Sequence, residues 1–300
     1  MPALHVPATV RDGVGRTSEG AVWLSRLPEL VTRSVQRWGL VLDHPFEDGA
    51  SGWAAPARDG RGRDVVLKIA FPHDEARHEA AALGAWDGGG APALLDHDAD
   101  DWALLLERVV PGTPLSGTPA EQLEAGALVA RRLYEAPGAA ALMVPPMAEV
   151  CAAWADVLEH RGALHGVDVR AAAALLRTLP APDPGVVVHG DLNPGNILRV
   201  GADRWLAIDP KPMRGDPAYD LWPLLEQVDD PFRYDDSVLT RRVCLVADLL
   251  GLDPRRVAAW GRARATESAM WRWDVLDDEA GARDGLDRAR TWARVAALLG

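Results

Sequence analysis

"VVVHGDLNPGNIL" occupies residues 186–198, and "AIDPK" follows at 207–211. Three valines in a row read as the end of a buried strand. His189, Asp191 and Asn196 come directly after them in one polar loop, with Pro194 and Gly195 supplying the turn. A second apolar run, "WLAID", then ends on Asp209. Packing alone gives no reason to set an imidazole, an amide and two carboxylates at the ends of two neighbouring strands. The stretch therefore reads as a chemical site carried on a strand–loop–strand frame.

The donor set points to magnesium-assisted phosphoryl transfer. A loose transition state asks the protein to align donor and acceptor and to neutralise phosphate charge. Magnesium keeps several waters and takes oxygen ligands, so one amide and one carboxylate suffice. Asn196, five residues after Asp191, offers the amide, and Asp209 offers the carboxylate. Asp191 holds the acidic position of H-x-D-x-x-x-x-N, the protein-kinase catalytic-loop pattern, where the carboxylate faces the acceptor hydroxyl. His189 reads as a structural histidine that holds the loop backbone.

The partner features lie upstream. "RDVVLKIA" is a β-branched strand carrying Lys68, placed to contact the α- and β-phosphates. Eleven residues on, Glu79 opens the apolar "AAAL" face of a helix and is the expected ion-pair partner of Lys68. Glu75 competes, but an acid in the first helical turn is explained by the helix dipole alone. "EDGASGWAA" lacks G-x-G-x-x-G, so the phosphate-covering amides are placed near Ala50, Ser51 and Gly52 by position only. "LLLERV" is the expected hinge strand, offering main-chain groups of Glu107 and Val109 to adenine.

Composition narrows the classes. Among 300 residues, 48% are apolar and 25% charged, which suits a globular protein with a sizeable core. The net charge of −12, with no basic run, argues against a nucleic-acid partner and favours a cationic small ligand. No 18-residue apolar run and no basic-then-apolar leader is visible, so the expected location is cytoplasmic, without a membrane partner, and the expected state monomeric. Cys151 and Cys244 sit among aliphatic residues and read as small apolar side chains. Only Lys68 and Lys211 are lysine among 32 basic residues. Where arginine is used almost everywhere, a persisting lysine marks a place that wants a compact point charge rather than a planar fork. Lys211 either approaches the transferred phosphate or sits on the surface.

Strand patterns dominate to about residue 106, and helical periodicity dominates after 114. A helix is expected over 28–38 with Pro28 in its first turn, and another over 74–87 capped by Asp74. The segment 136–150 reads as a loop between helices. The expected fold is α+β and bilobal, kinase-like. It has a small antiparallel-sheet N-lobe over 1–106, a hinge at 107–113 and a larger helical C-lobe over 114–300, with the ligands between the lobes.

With these residues in place, the chain resembles the aminoglycoside phosphotransferase family. "RHEAAALGAWDGGGAPALLDHD", "VVVHGDLNPGNIL" and "WLAIDPKPMRGDPAYDLWPLL" are similar to its streptomycin and hydroxyurea branch. The resemblance implies an ATP- and Mg2+-dependent kinase of an antibiotic hydroxyl, most directly streptomycin at its 6-hydroxyl. Asp191 would orient the acceptor, Asn196 and Asp209 would hold the metal, and Asp220 of "GDPAYDL" would be a buried acid supporting the catalytic loop. Hydroxyurea, a peptide antibiotic or a metabolite is the alternative acceptor, and a nucleotide-binding pseudokinase the alternative class. Streptomycin carries two guanidinium groups, so its pocket needs carboxylates and can use aromatic faces. The helix read over 265–278 offers Glu267, Trp271 and Asp274 at i, i+4 and i+7, and Trp222 follows Asp220 at the expected cleft floor.

Overall fold

A computed structural model describes residues 4–49, 51–136, 141, 143–180, 184–233 and 235–300. Five antiparallel strands, β1 (Val41–Leu42), β2 (Gly52–Arg58), β3 (Asp64–Ala70), β4 (Leu94–Asp98) and β5 (Ala103–Glu107), form a sheet in the order β1-β2-β3-β5-β4. The alternation of β3 decides which way its lysine faces. Val65, Leu67 and Ile69 are fully buried on one face, with Trp53, Ala55 and Leu105 of the neighbouring strands. Lys68 therefore projects from the other face.

After a short helix α1 (Ala8–Gly13), helix α2 (Ser18–Trp38) covers the apolar face through Trp23, Leu27, Leu30 and Val31. The expected start at residue 28 is thus ten residues late. Thr17 caps the true start, its hydroxyl accepting from the Gly20 N–H at 3.0 Å. Pro28 lies inside the helix on its exposed side, where water can satisfy the carbonyl that the missing N–H leaves. Helix α3 (Glu79–Trp86) is also shorter than expected. A 3₁₀ turn over Ala76–His78 leads into it, and the His73 ring, not Asp74, accepts the Ala76 N–H at 3.2 Å.

The remainder is mainly helical: α4 (Pro119–Glu135), α5 (Met147–His165), α6 (Arg170–Thr178), α7 (Leu221–Gln227), α8 (Asp236–Leu250), α9 (Pro254–Val275) and α10 (Glu279–Leu298). The helix expected over 265–278 ends at Val275. Asp278 instead begins α10, accepting the Gly281 N–H at 2.8 Å. Two small ladders sit among these helices. β6 (Pro111–Pro114), β8 (Ile197–Val200) and β9 (Arg204–Ala207) form one, and β7 (Val187–Val188) with β10 (Met213–Arg214) forms the other. Part of the loop expected over 136–150 lies outside the described residues. Cys151 is buried and Cys244 partly exposed, and both are free.

Candidate active site

The polar loop leaves β7 and turns at Gly190. Its φ of 84° lies in the left-handed region, and a Cβ there would sit 1.9 Å from the Lys211 carbonyl oxygen. The turn is clamped from below. Asp220, fully buried, accepts the His189 N–H and the Gly190 N–H, each at 2.7 Å, and the Tyr134 hydroxyl at 3.2 Å. Burial pushes its carboxyl up to about 7 against those three donors, which favour the ionised form.

His189 is buried face to face with Trp86, with ring centroids 6.1 Å apart. Its Nε2 lies 2.9 Å from the Ile208 carbonyl, which can only accept, so the proton is on Nε2. Nδ1 accepts the Asp191 N–H at 3.3 Å. Burial lowers its pKa to about 4, although Asp191 pulls the other way. An unfolded chain takes up that proton near pH 6.5, before the folded one does. The stabilisation is therefore complete above about pH 6.5 and is lost as pH falls towards 4, with a slope of up to about 1.4 kcal/mol per pH unit. Urea unfolding across that window should show the loss. His189→Gln should be less stable at neutral pH but show a shallower acid slope, and equal slopes would remove His189 as the cause.

Asn193 shapes the next turn. Its Oδ1 accepts the Gly195 and Asn196 N–H groups at 2.9 and 3.2 Å, and its Nδ2 donates to Asp191 Oδ1 at 3.1 Å. Asn196 spends its amide nitrogen on the Asp191 carbonyl at 2.9 Å, which leaves Oδ1 as its outward atom. The Ile208 N–H donates to the Asn196 carbonyl at 2.8 Å, so the β8–β9 ladder sets Asn196 beside the chain position that leads to Asp209. Asp209 itself has a φ of 56°, where the chain turns out of the ladder.

Lys68 joins the two halves. Its Nζ donates to Glu79 Oε1 and Oε2 at 2.6 and 2.8 Å and to Asp209 Oδ1 at 2.8 Å. Burial opposes its charge, yet the Asp209 and Glu79 carboxylates outweigh that and raise its pKa. Lys68 in turn holds Asp209 below the usual carboxylate range. Glu75 is not the partner of Lys68. It lies 3.7 Å from Lys211 Nζ, which sits 3.4 Å from Asp191 Oδ2. Both lysines of the chain thus stand in the cleft, each between carboxylates of the sheet half and the helical half.

The expected nucleotide contacts are less complete. Gly52 pairs with Ala70 and the Phe71 N–H donates to the Ser51 carbonyl at 3.1 Å, which places these residues at the β3 end just past Lys68. Ala50 lies outside the described residues. The Glu107 N–H is donated to the Ala93 carbonyl at 2.9 Å, so the hinge reading narrows to its carbonyl. Val109 follows β5 in an irregular segment.

Comparison with known proteins places this arrangement. A family described as "Aminoglycoside/hydroxyurea antibiotic resistance kinase" matches residues 37–275. The chain belongs to that family. It is 33% identical over 282 residues to a streptomycin 6-kinase of Streptomyces glaucescens, covering 87% of each chain. It is 32% identical to a hydroxyurea phosphotransferase of Kitasatospora aureofaciens, covering 93% of this chain and 81% of that one. The fold is also that of a choline kinase from Streptococcus pneumoniae, at a TM-score of 0.61, 12% identity, and 90% and 99% coverage. Members of a kinase family of this kind use ATP, and the chain is a phosphotransferase with a hydroxyl group as acceptor. Among the described residues, no helix is long and apolar enough to cross a membrane.

On the far side of Asp191 this family member has a cavity of about 810 Å³, lined by Asp191, Lys211, Trp222, Glu267 and Trp271 among others. Asp274 does not line it. One turn further along α9, its carboxylate is held by Arg161 Nε at 3.1 Å, which corrects the expected substrate role. Glu267 is at the wall but already engaged, since Arg264 Nη1 donates to its Oε2 at 2.8 Å. Arg264 was missed in the sequence. Its guanidinium lies 4.7 Å from the Trp154 ring centroid and 5.2 Å from both Tyr219 and Trp222. Of the two tryptophans expected at the substrate, Trp222 thus already faces a cation of the protein itself. The Trp222 indole also donates to the partly buried Glu226 at 2.7 Å, and Trp271 is left exposed at the mouth.

Proposed function

We propose that the chain transfers the γ-phosphoryl group of ATP to a hydroxyl of an aminoglycoside antibiotic, with the streptomycin 6-hydroxyl as the first acceptor to test. The observation that supports it most is the position of Asp191. It forms part of the wall of a ligand-sized cavity and lies one short loop from the Lys68, Asn196 and Asp209 constellation. Donor and acceptor can therefore meet at its carboxylate. In this reading Lys68 grips the α- and β-phosphates while Glu79 keeps it in place, and Ser51 and Gly52 cover them. Val109 and the carbonyl of Glu107 face the adenine.

Asp191 accepts a hydrogen bond from the acceptor hydroxyl, aims its oxygen in line with the phosphorus and takes its proton as the bond forms. Lys211 keeps that carboxylate in position and adds positive charge where the transferred group passes. The oxygen donors Asn196 Oδ1 and Asp209 fit Mg2+, which would supply charge neutralisation on the phosphates. His189 and Asp220 hold the loop that aims Asp191. The expected working form is a monomer in the cytoplasm, where ATP is available, with neither nucleic acid nor membrane as partner.

A second reading is favoured by Arg264. Because its guanidinium fills the aromatic cage and neutralises Glu267, the cavity wall has fewer free sites for a polycation than the sequence suggested. A small uncharged acceptor of the hydroxyurea class suits such a wall. One experiment separates the two readings. Purified protein with ATP and magnesium is given streptomycin, other aminoglycosides, hydroxyurea and related small alcohols, with ADP release and product mass recorded. Streptomycin gaining one phosphoryl group supports the first reading, and hydroxyurea alone doing so supports the second. ADP release independent of every acceptor would remove both.

A further inference from the structure

We propose that His5, His44 and Glu47 form a site for a zinc-class divalent cation on the N-terminal sheet half, away from the phosphotransfer centre. The three side chains come from two segments about forty residues apart in sequence. Their own attraction does not bring them together, because exposed pairs of this kind contribute at most about 1 kcal/mol. Two buttressing bonds do so. The Trp53 indole N–H donates to the His5 carbonyl at 3.0 Å, and the Thr9 hydroxyl donates to the Glu47 carbonyl at 2.6 Å. Trp53 is fully buried and Val10 is buried with it, so residues 5–10 are tied to the core that lies under α2. The backbone that carries the three donors is set before any ion arrives.

The spacing fits. His5 Nε2 is 2.9 Å from Glu47 Oε1, His44 Nδ1 is 3.7 Å from the same oxygen, and one donor atom from each residue lies within 4.8 Å of the others. Donors placed tetrahedrally about zinc at about 2.0–2.1 Å sit about 3.3 Å apart. Side-chain torsions alone cover the difference. The two imidazoles are in contact, with centroids 4.6 Å apart and a tilt of 39°, so both rings would turn to bring their in-plane lone pairs to one ion. His44 Nδ1, now 3.1 Å from the Pro45 carbonyl, would turn from that contact to the ion, with the ring proton carried on Nε2 so that a neutral imidazole ligates. All three residues are exposed, which leaves the fourth position to water.

The donor chemistry sorts the ions. Two imidazoles with one carboxylate select zinc, cobalt or nickel, whereas the amide and carboxylate oxygens of the cleft suit magnesium. The two sites need not compete. An ion here would staple the N-terminal segment to the loop that runs from β1 into Ser51 and Gly52. It would therefore stiffen the root of that hairpin without touching a reacting group.

The test uses the whole protein with magnesium at millimolar concentration to occupy the cleft. Zinc is titrated by competition with a chromogenic chelator, and cobalt by its visible absorption. The expected result is one zinc per chain at micromolar free metal, a tetrahedral cobalt spectrum and a zinc-dependent rise in melting temperature. His44→Ala and Glu47→Gln, both at exposed positions, should bind at least tenfold more weakly and lose the spectrum and the thermal rise. His97→Ala, another exposed histidine, and Asp209→Asn should keep all three. Unchanged affinity in His44→Ala and Glu47→Gln would overturn the proposal. So would the absence of any bound zinc at tens of micromolar, or loss of binding in Asp209→Asn alone.

Discussion

Asp191→Asn is expected to lower kcat by roughly 10²- to 10⁴-fold, the range for removal of a positioned general base, while leaving ATP affinity within about threefold. The amide matches the carboxylate in shape and can still meet Asn193. It cannot take a proton from the acceptor, and it loses the attraction of Lys211, 3.4 Å away. The nucleotide side should be spared, because Lys68 is held by Glu79 and Asp209 and has no bond to Asp191. Steady-state rates with the acceptor found in the panel give the first number, and displacement of a fluorescent nucleotide gives the second. A variant within tenfold of the parent would mean that another group takes the proton. Loss of nucleotide binding as well would mean that Asp191 organises the metal side.

Gly190→Ala should be the most damaging single methyl group in the cleft. The added carbon would meet a backbone oxygen at 1.9 Å, at a φ of 84° that an alanine resists. Relief requires the His189–Asp191 turn or the Lys211 segment to move, and either movement breaks a bond, to Asp220 or from the Lys211 N–H to the His189 carbonyl. A cost of about 3 kcal/mol follows from overpacking and strain together, equivalent to about 6–12 °C in melting temperature. Activity should fall by more than about a hundredfold, since small misplacement of catalytic groups is costly. Gly166→Ala is the control. Its φ is 66° with nothing within 4 Å of the new carbon, so only the left-handed backbone penalises it, by about 1 kcal/mol. Equal losses in the two variants would show that the close approach at Gly190 contributes nothing.

What could be read from the sequence was what lies close together in it. The loop from His189 to Asn196 closes on itself within eight residues, so residue type and spacing carry its geometry. Lys68 was legible because a strand alternates, and Glu79 because a helix face follows it. The acceptor wall was not legible for the opposite reason. Arg264 gains its meaning from Trp154 on α5, Tyr219 in the turn before α7 and Trp222 on α7, rings that come together only through tertiary packing. Its sequence signal was an arginine in an arginine-rich helix. Asp274 failed because helical spacing gives a side but not how far the cavity extends along it. The start of α2 failed because a proline was read as a boundary, although on a solvent-facing side a helix can carry one.

The pairing of the two lysines with opposed carboxylates has a practical corollary. Apart from the chain terminus, every primary amine of this protein lies in the cleft, and all other positive charge is on guanidinium groups that acylating reagents leave alone. An amine-directed ester or aldehyde therefore reports on that location and the terminus alone. Covalent capture on beads through lysine would inactivate the protein rather than tether it harmlessly by its surface.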